Sequence, residues 1–305
     1  MNLQPKEAQL QTQPVVSQKS GLYLLLKTMR PKQWTKNLII FAGIIFARKI
    51  FTDGYLLKTL YAFLDFCILS GSVYIINDLA DIEKDKAHPK KRNRPLASGQ
   101  LSVPLATVFV ILSTVLSLGS AFFLNINFGF VALAYFLLTL SYSFKLKNVV
   151  IIDVIVIALG FILRAAAGAV VIAADISPWL LVCTFLLALF LALTKRRHEL
   201  LLLDDKARSH RKILDEYQPE MLDQMISVVT SSTVMAYSLY TFTSGHSIYL
   251  MTTIPFVVYG IFRYQYLVHQ KDMGGSPEVA LLKDKPLLIN VLLWVVTSAL
   301  ILYLT

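Results

Sequence analysis

Long apolar stretches alternate with short polar connectors along most of the chain. A helix needs roughly 20 consecutive apolar residues to cross about 30 Å of hydrocarbon. Nine stretches approach that length: residues 34–51, 55–80, 102–124, 128–144, 150–173, 178–203, 221–243, 248–270 and 286–304. Turn-forming residues mark boundaries at Asp53-Gly54, Asn125 to Asn127, Asp175 to Pro178 and Ser244-Gly245. The pattern predicts an all-α, polytopic membrane protein with about nine transmembrane helices. Residues 1–30 read as a polar cytoplasmic N-terminal segment, and 31–305 as one transmembrane domain.

Composition narrows the class. Of the 305 residues, 56% are hydrophobic and only 16% charged, and the mean hydropathy is +0.61. A soluble domain carries about 25% charged residues, so this chain cannot cover itself with a hydrated surface. Disordered, collagen-like and disulfide-stapled classes are excluded. The two cysteines, Cys67 and Cys183, both sit in apolar runs and make no disulfide framework. Met1 to Ser20 has no long apolar run before a cleavage site, so the first spanning helix is expected to act as the insertion signal.

The formal charge of +10 would suggest nucleic acid in a soluble protein. In a membrane protein it is first topological, because Lys and Arg stay on the cytoplasmic side; no nucleic-acid partner is expected. With the N-terminus inside and nine alternating helices, 25 of the 29 Lys and Arg fall inside and three outside, with Arg164 within a helix. The expectation is an integral protein of the cell (inner) membrane, N-terminus cytoplasmic and C-terminus outside.

Two polar clusters fall on that cytoplasmic side. The first is Asn77-Asp78-Leu-Ala-Asp81-Ile-Glu83-Lys-Asp85, followed by Lys86, His88, Lys90, Lys91, Arg92 and Arg94. On one helix, Asp78, Asp81 and Asp85 lie within about 60° of one another, with Asn77 beside Asp81. Carboxylates so arranged repel unless a cation joins them, and hard oxygen ligands with open positions suit Mg²⁺ together with substrate phosphates. The following bases could hold a polyphosphate through charge-assisted hydrogen bonds. A solvated loop capping a helix end is the plain alternative. The second cluster is Lys195-Arg196-Arg197-His198-Glu199, then Asp204, Asp205, Arg208, Arg211, Lys212 and Tyr217. It reads as a second phosphate clamp or as a basic belt at the membrane edge.

The fifth stretch carries Asp153, Gly160, Arg164 and Gly168 on one stripe. Charges inside a membrane helix face a cavity or another charge. Asp153 and Arg164 are separated by about 16 Å along the axis, too far to pair, so each needs its own partner or a ligand. The glycines are also explained by close helix packing. Asp65 lies about 220° round from Asp78 and reads as a separate buried contact. Arg30-Pro31-Lys32-Gln33-Trp34-Thr35-Lys36-Asn37 places Lys36 and Asn37 within reach of a phosphate, whereas the loop from Gly274 to Glu278 and on to Pro286 reads as a connector.

The spacing Asn77-Asp78-x-x-Asp81-x-x-x-Asp85 on such a chain resembles the first signature of the UbiA superfamily of intramembrane prenyltransferases. Within it, RPKQWTKN, NDLADIEKDKAHPKKRNRPLASG, YSFKLKNVVIIDV, GFILRAAAG, LALTKRRHEL and SPEVALLKDKPL look like the decaprenyl-phosphate phosphoribosyltransferase branch. Ordinary members of the superfamily bear a second Asp-rich motif near the end of the sixth helix. Here that place holds bases, which fits a phosphorylated sugar and a lipid phosphate better than two-metal prenyl chemistry.

The resemblance implies a UbiA-like bundle with its active site at the cytoplasmic face. It implies Mg²⁺-dependent transfer of 5-phosphoribose from 5-phosphoribosyl 1-diphosphate to a polyprenyl phosphate. Asp78, Asp81 and Asp85 would be catalytic and, with Asn77, hold the metal. Lys86, Lys90, Arg92 and Arg94 would bind donor phosphates. Lys36, Lys145, Lys195 and Arg196 are candidates for the lipid phosphate or the sugar 5-phosphate, and Tyr142, Asp153, Arg164 and Glu199 complete the substrate site. The alternatives are transfer of a prenyl group from its diphosphate to an aromatic acceptor, and a transporter or lipid carrier. A homo-oligomer is left open.

Overall fold

Leu57, Leu64, Val115, Leu116, Leu292 and Leu300 are large apolar side chains that point outward from the helices. That inside-out surface suits lipid. The computed structural model describes residues 20–89, 91–175, 177–202 and 212–305. Twelve α-helices run through them: α1 Gly21–Thr28, α2 Ile40–Phe46, α3 Tyr55–Ala80, α4 Ile82–Ala87, α5 Val103–Leu124, α6 Ile126–Phe144, α7 Ile152–Val170, α8 Pro178–Leu202, α9 Pro219–Thr243, α10 Ile254–Gln270, α11 Pro277–Lys283 and α12 Lys285–Leu304. Among the described residues six are long and apolar enough to cross a membrane: α3, α5, α6, α7, α8 and α12.

The other three predicted spans differ in build. The first is a 3-10 segment, Pro31–Ile39, running into the short α2. Pro31 and the polar residues up to Asn37 keep that stretch from forming one apolar helix. The second, α9, is 25 residues long but carries Glu220, Asp223 and a run of Ser and Thr. The third, α10, has 17 residues, includes Arg263, and follows a 3-10 turn at Ile248–Thr253.

The N-terminal segment is less polar in its role than its composition suggests. Ser20 caps α1 by accepting from the Tyr23 amide. Leu24, Leu25 and Met29 bury against Ile75, Leu96 and Leu101. Eight residues are too few to span but enough to lay one apolar face on the bundle.

Two cores meet on α7. Ile40, Ile44, Phe66, Phe128, Tyr135 and Ala167 pack on one side. Val154, Phe190, Leu193, Leu222, Ile226 and Tyr264 pack on the other. Glycine sets the spacing at one crossing. A Cβ on Gly168 would collide with the carbonyl oxygen of Ile40, and one on Gly43 would lie 2.5 Å from the Ala169 nitrogen. Both obstacles are backbone and cannot turn aside. Gly168→Ala is expected to cost about 3 kcal/mol or more by forcing α2 from α7, read as a lower unfolding temperature in detergent. Gly160→Ala should be mild, since its Cβ would meet Arg164 Nη1 at 3.5 Å and the Tyr135 ring at 3.9 Å, both ordinary contacts with side chains.

Asp65 is the separate buried contact that its angle predicts. Its Oδ1 accepts from Ser117 and Ser120 of α5, each at 2.9 Å. Two turns further along α3, the hydroxyls of Ser72 and Ser113 join α3 and α5 at 2.7 Å.

Candidate active site

One end of the bundle gathers the C-terminal ends of α3, α6, α8 and α10 and the N-terminal ends of α7 and α12. Both sequence clusters lie there. The helix that was to carry all three aspartates breaks at Asp81, where φ is −104° and ψ 14°. The break separates their partners. Asp78 Oδ1 accepts from Arg30 Nη2 at 2.6 Å and from Arg94 Nη1 at 3.0 Å. The same Arg94 nitrogen donates to Asp85 Oδ2 at 2.6 Å. Asp81 turns instead toward Lys147, at 3.1 Å, and Lys84, at 3.6 Å. Asp78 and Asp85 are buried, so their charges must be balanced on the spot.

Among the described residues no group of three or more His, Cys, Asp and Glu side chains is close enough to hold a metal ion. The expected joint cage of Asn77, Asp78, Asp81 and Asp85 is therefore not drawn together. Two of its members nonetheless suit a hard cation. Oxygens of Asp78 and Asp85 converge on one positive nitrogen, and oxygen donors from carboxylates are what Mg²⁺ takes. Asn77 is half-buried beside them.

The bases sort differently from their order in sequence. Arg94 faces the acids, whereas Lys86 pairs with Glu83 at 2.7 Å and Arg92 is exposed. Lys90 lies outside the described residues, as do Asp204, Asp205, Arg208 and Arg211. Lys145 is exposed, and Lys147 takes the contact with Asp81. Arg30 opens the RPKQWTKN stretch but is not among the expected site residues. It takes a left-handed backbone, φ 56°, just before Pro31, and its guanidinium also lies 4.9 Å from the centre of the Tyr74 ring.

The second cluster is built around Arg196. Its Nε donates to Asp153 Oδ2 at 2.6 Å, Nη1 to Glu199 Oε2 at 2.5 Å, and Nη2 to the Tyr142 hydroxyl at 3.2 Å. All three guanidinium nitrogens are committed to the protein. Lys195 is the freer cation: its side chain is 42% exposed and its Nζ lies 4.0 Å from Glu199. Asp153, fully buried, also accepts from the Tyr217 hydroxyl at 2.7 Å. Burial and this hydrogen bond push the Tyr217 hydroxyl well above the ordinary tyrosine range, so it keeps its proton and donates.

Arg164 has its own partners, as its distance from Asp153 requires. It donates to Asn37 Oδ1 at 2.7 Å, the Tyr135 hydroxyl at 2.6 Å and the Gly160 carbonyl at 3.1 Å. Every one of these is neutral, and among the described residues no carboxylate pairs with it. Lys36, half-buried, lies within electrostatic reach of Glu278, Arg164 and Arg30. Glu278 also acts on Lys195. The loop that reads as a connector thus brings a carboxylate to the site. Its Glu278 accepts from Gln33 at 2.7 Å, and Gly274 and Gly275 press on His198 so closely that a Cβ on either would lie within 3 Å of that ring or its Cβ. Lys36, Lys195, Arg30 and Arg94 are thus gathered with a few carboxylates, a charge pattern that can receive a substrate with several phosphates.

The model of the UbiA prenyltransferase family matches residues 37–303. The chain is 34% identical to the decaprenyl-phosphate phosphoribosyltransferase of Corynebacterium glutamicum, over 92% of this chain and 87% of that one. It is 33% identical to the protein of the same name from Mycolicibacterium smegmatis, over 98% and 97%. Among solved structures, a UbiA homolog from Archaeoglobus fulgidus bound to GPP and Mg²⁺ superposes with a TM-score of 0.72 at 22% identity, covering 92% of this chain and 100% of that one. At that identity the likeness is one of fold.

Proposed function

Because the chain belongs to the UbiA prenyltransferase family, we propose that it works that fold as a membrane glycosyltransferase. It moves 5-phosphoribose from 5-phosphoribosyl 1-diphosphate to a polyprenyl, decaprenyl-like phosphate and releases pyrophosphate. The observation that carries this reading is near full-length likeness to enzymes named decaprenyl-phosphate phosphoribosyltransferase. The end of α8 agrees with it. Asp153 of α7 and Glu199 are both tied to Arg196 there, which leaves Lys195, 42% exposed, as the cation that can face a phosphate.

In the reaction an anionic oxygen of the acceptor phosphate attacks C1 of the ribose, and the bond from C1 to the pyrophosphate oxygen breaks. The acceptor is already ionised near neutral pH, so no strong general base is required. Positioning and charge neutralisation supply the catalysis. Asp78 and Asp85, with Asn77 beside them, would hold Mg²⁺. When bound, that ion neutralises charge on the departing pyrophosphate. Arg94 and Arg30 stand beside the same carboxylates, placed to take donor phosphates. Lys36, Lys195 and Arg164 offer charge to the acceptor phosphate or the sugar 5-phosphate. The polyprenyl tail stays in lipid against apolar helix faces, and the site opens on the cytoplasmic side of a nine-span bundle.

The test is a transfer assay in detergent with labelled 5-phosphoribosyl 1-diphosphate, a polyprenyl phosphate and Mg²⁺. Label is expected in the lipid phase, and EDTA should abolish it. If none moves there, but labelled prenyl diphosphate is joined to an aromatic acid in a parallel tube, the phosphoribosyl reading is overturned.

A further inference from the structure

Ile151 is a β-branched residue in a backbone region that such residues avoid, with φ 67° and ψ −44°. Strain of that kind persists only where the surroundings over-determine it, and it gathers at functional sites. Here the restraint is visible. The amide of Ile151 donates to the Tyr217 hydroxyl at 2.8 Å. That hydroxyl in turn donates to Asp153 Oδ1 at 2.7 Å, and Asp153 Oδ2 accepts from Arg196 at 2.6 Å. Arg196 then fixes Glu199, which faces Lys195. Tyr217 is itself anchored from below, because it and Ile213 bury in the same core as Val154 and Leu193.

We propose that Tyr217 is a positioning residue for the phosphate clamp at the end of α8. It ties the connector between α8 and α9 to the start of α7. Through Asp153 and Arg196 it sets the orientation of Glu199 and Lys195. The inference rests on the proposed function for what the clamp grips, but the relay stands on hydrogen bonds alone.

Two measurements on Tyr217→Phe test it. In steady-state transfer, KM for one of the two substrates is expected to rise about tenfold, the worth of one hydrogen bond to a charged group, with the other KM and kcat changed less than threefold. Asp153→Asn should move the same KM, and the double variant should be no worse than the worse single. Loss of thermal stability with both KM values unchanged would mean a purely structural tyrosine and overturn the proposal. The second measurement needs no substrate. Amide exchange in Tyr217→Phe should quicken at Ile151 and also at residues 195–199. If quickening stops at Ile151, the relay does not exist. Should the wild-type protein transfer no phosphoribose, the functional reading fails, and the exchange measurement still decides the relay.

Discussion

Asp78→Asn is expected to lower kcat/KM for phosphoribosyl transfer by about 10³-fold or more, the scale seen when a group stabilising transition-state charge is removed. Asp78 is 2% exposed and is the point where Arg30 and Arg94 meet. An amide keeps the shape but takes away the charge that would bind metal and orient both guanidinium groups. Two partly buried cations would then lose a shared counter-charge, although Arg94 keeps Asp85, at a structural cost of about 2 kcal/mol. Activity must therefore be set against the folded fraction, measured by thermal unfolding and size exclusion. A well-folded Asp78→Asn protein retaining a tenth of wild-type turnover would remove Asp78 from the chemistry.

Lys36→Met should do something different. It is expected to cut kcat/KM by about 10²-fold while raising stability by about 1 kcal/mol, the usual direction of exchange between activity and stability. Among the described residues Lys36 makes no hydrogen bond, so methionine breaks none. It is half-buried, and the attraction of Glu278 is opposed by burial and by the like charges of Arg164 and Arg30. Such an ammonium costs the empty enzyme free energy and is offset when a phosphate arrives. The reading is a pair of numbers, an unfolding temperature and a specificity constant, moving in opposite directions. If both fall together, Lys36 supports the fold and is not waiting for an anion.

Much of the bundle was legible because lipid demands uniform apolarity. The predicted spans 55–80, 102–124 and 286–304 coincide with α3, α5 and α12 to within a residue. The separation of Asp153 from Arg164 and the isolation of Asp65 followed from helix geometry alone. What stayed hidden depends on contacts between distant segments. The break at Asp81 could not be read from a continuous helical pattern, yet it decides which aspartates converge. Arg30 and Lys147 lie within the RPKQWTKN and YSFKLKNVVIIDV stretches, but nothing in those stretches singles them out; they enter the site because the Pro31–Ile39 segment and the turn after α6 deliver them. Arg196 looked like a free phosphate ligand until its three acceptors were seen. Tyr217 stood at the far end of the second cluster, two residues before the proline that opens α9, and nothing in that position showed that it reaches Asp153.

Asp65 bears on how the chain is made. On translocon-based scales a carboxylate at the centre of a helix adds about 2.5–3.5 kcal/mol to the free energy of entering lipid. Its partners Ser117 and Ser120 are on α5, synthesised some fifty residues later. Until α5 emerges, α3 carries a polar group without its helpers, so the two helices form a unit of biogenesis. Their serines act as a ratchet that holds α3 in the bilayer once α5 has arrived. The carboxyl-terminal end of α3 bears Asp78, so the same pairing steadies one wall of the site before α7, α8 and the Glu278 helix are made.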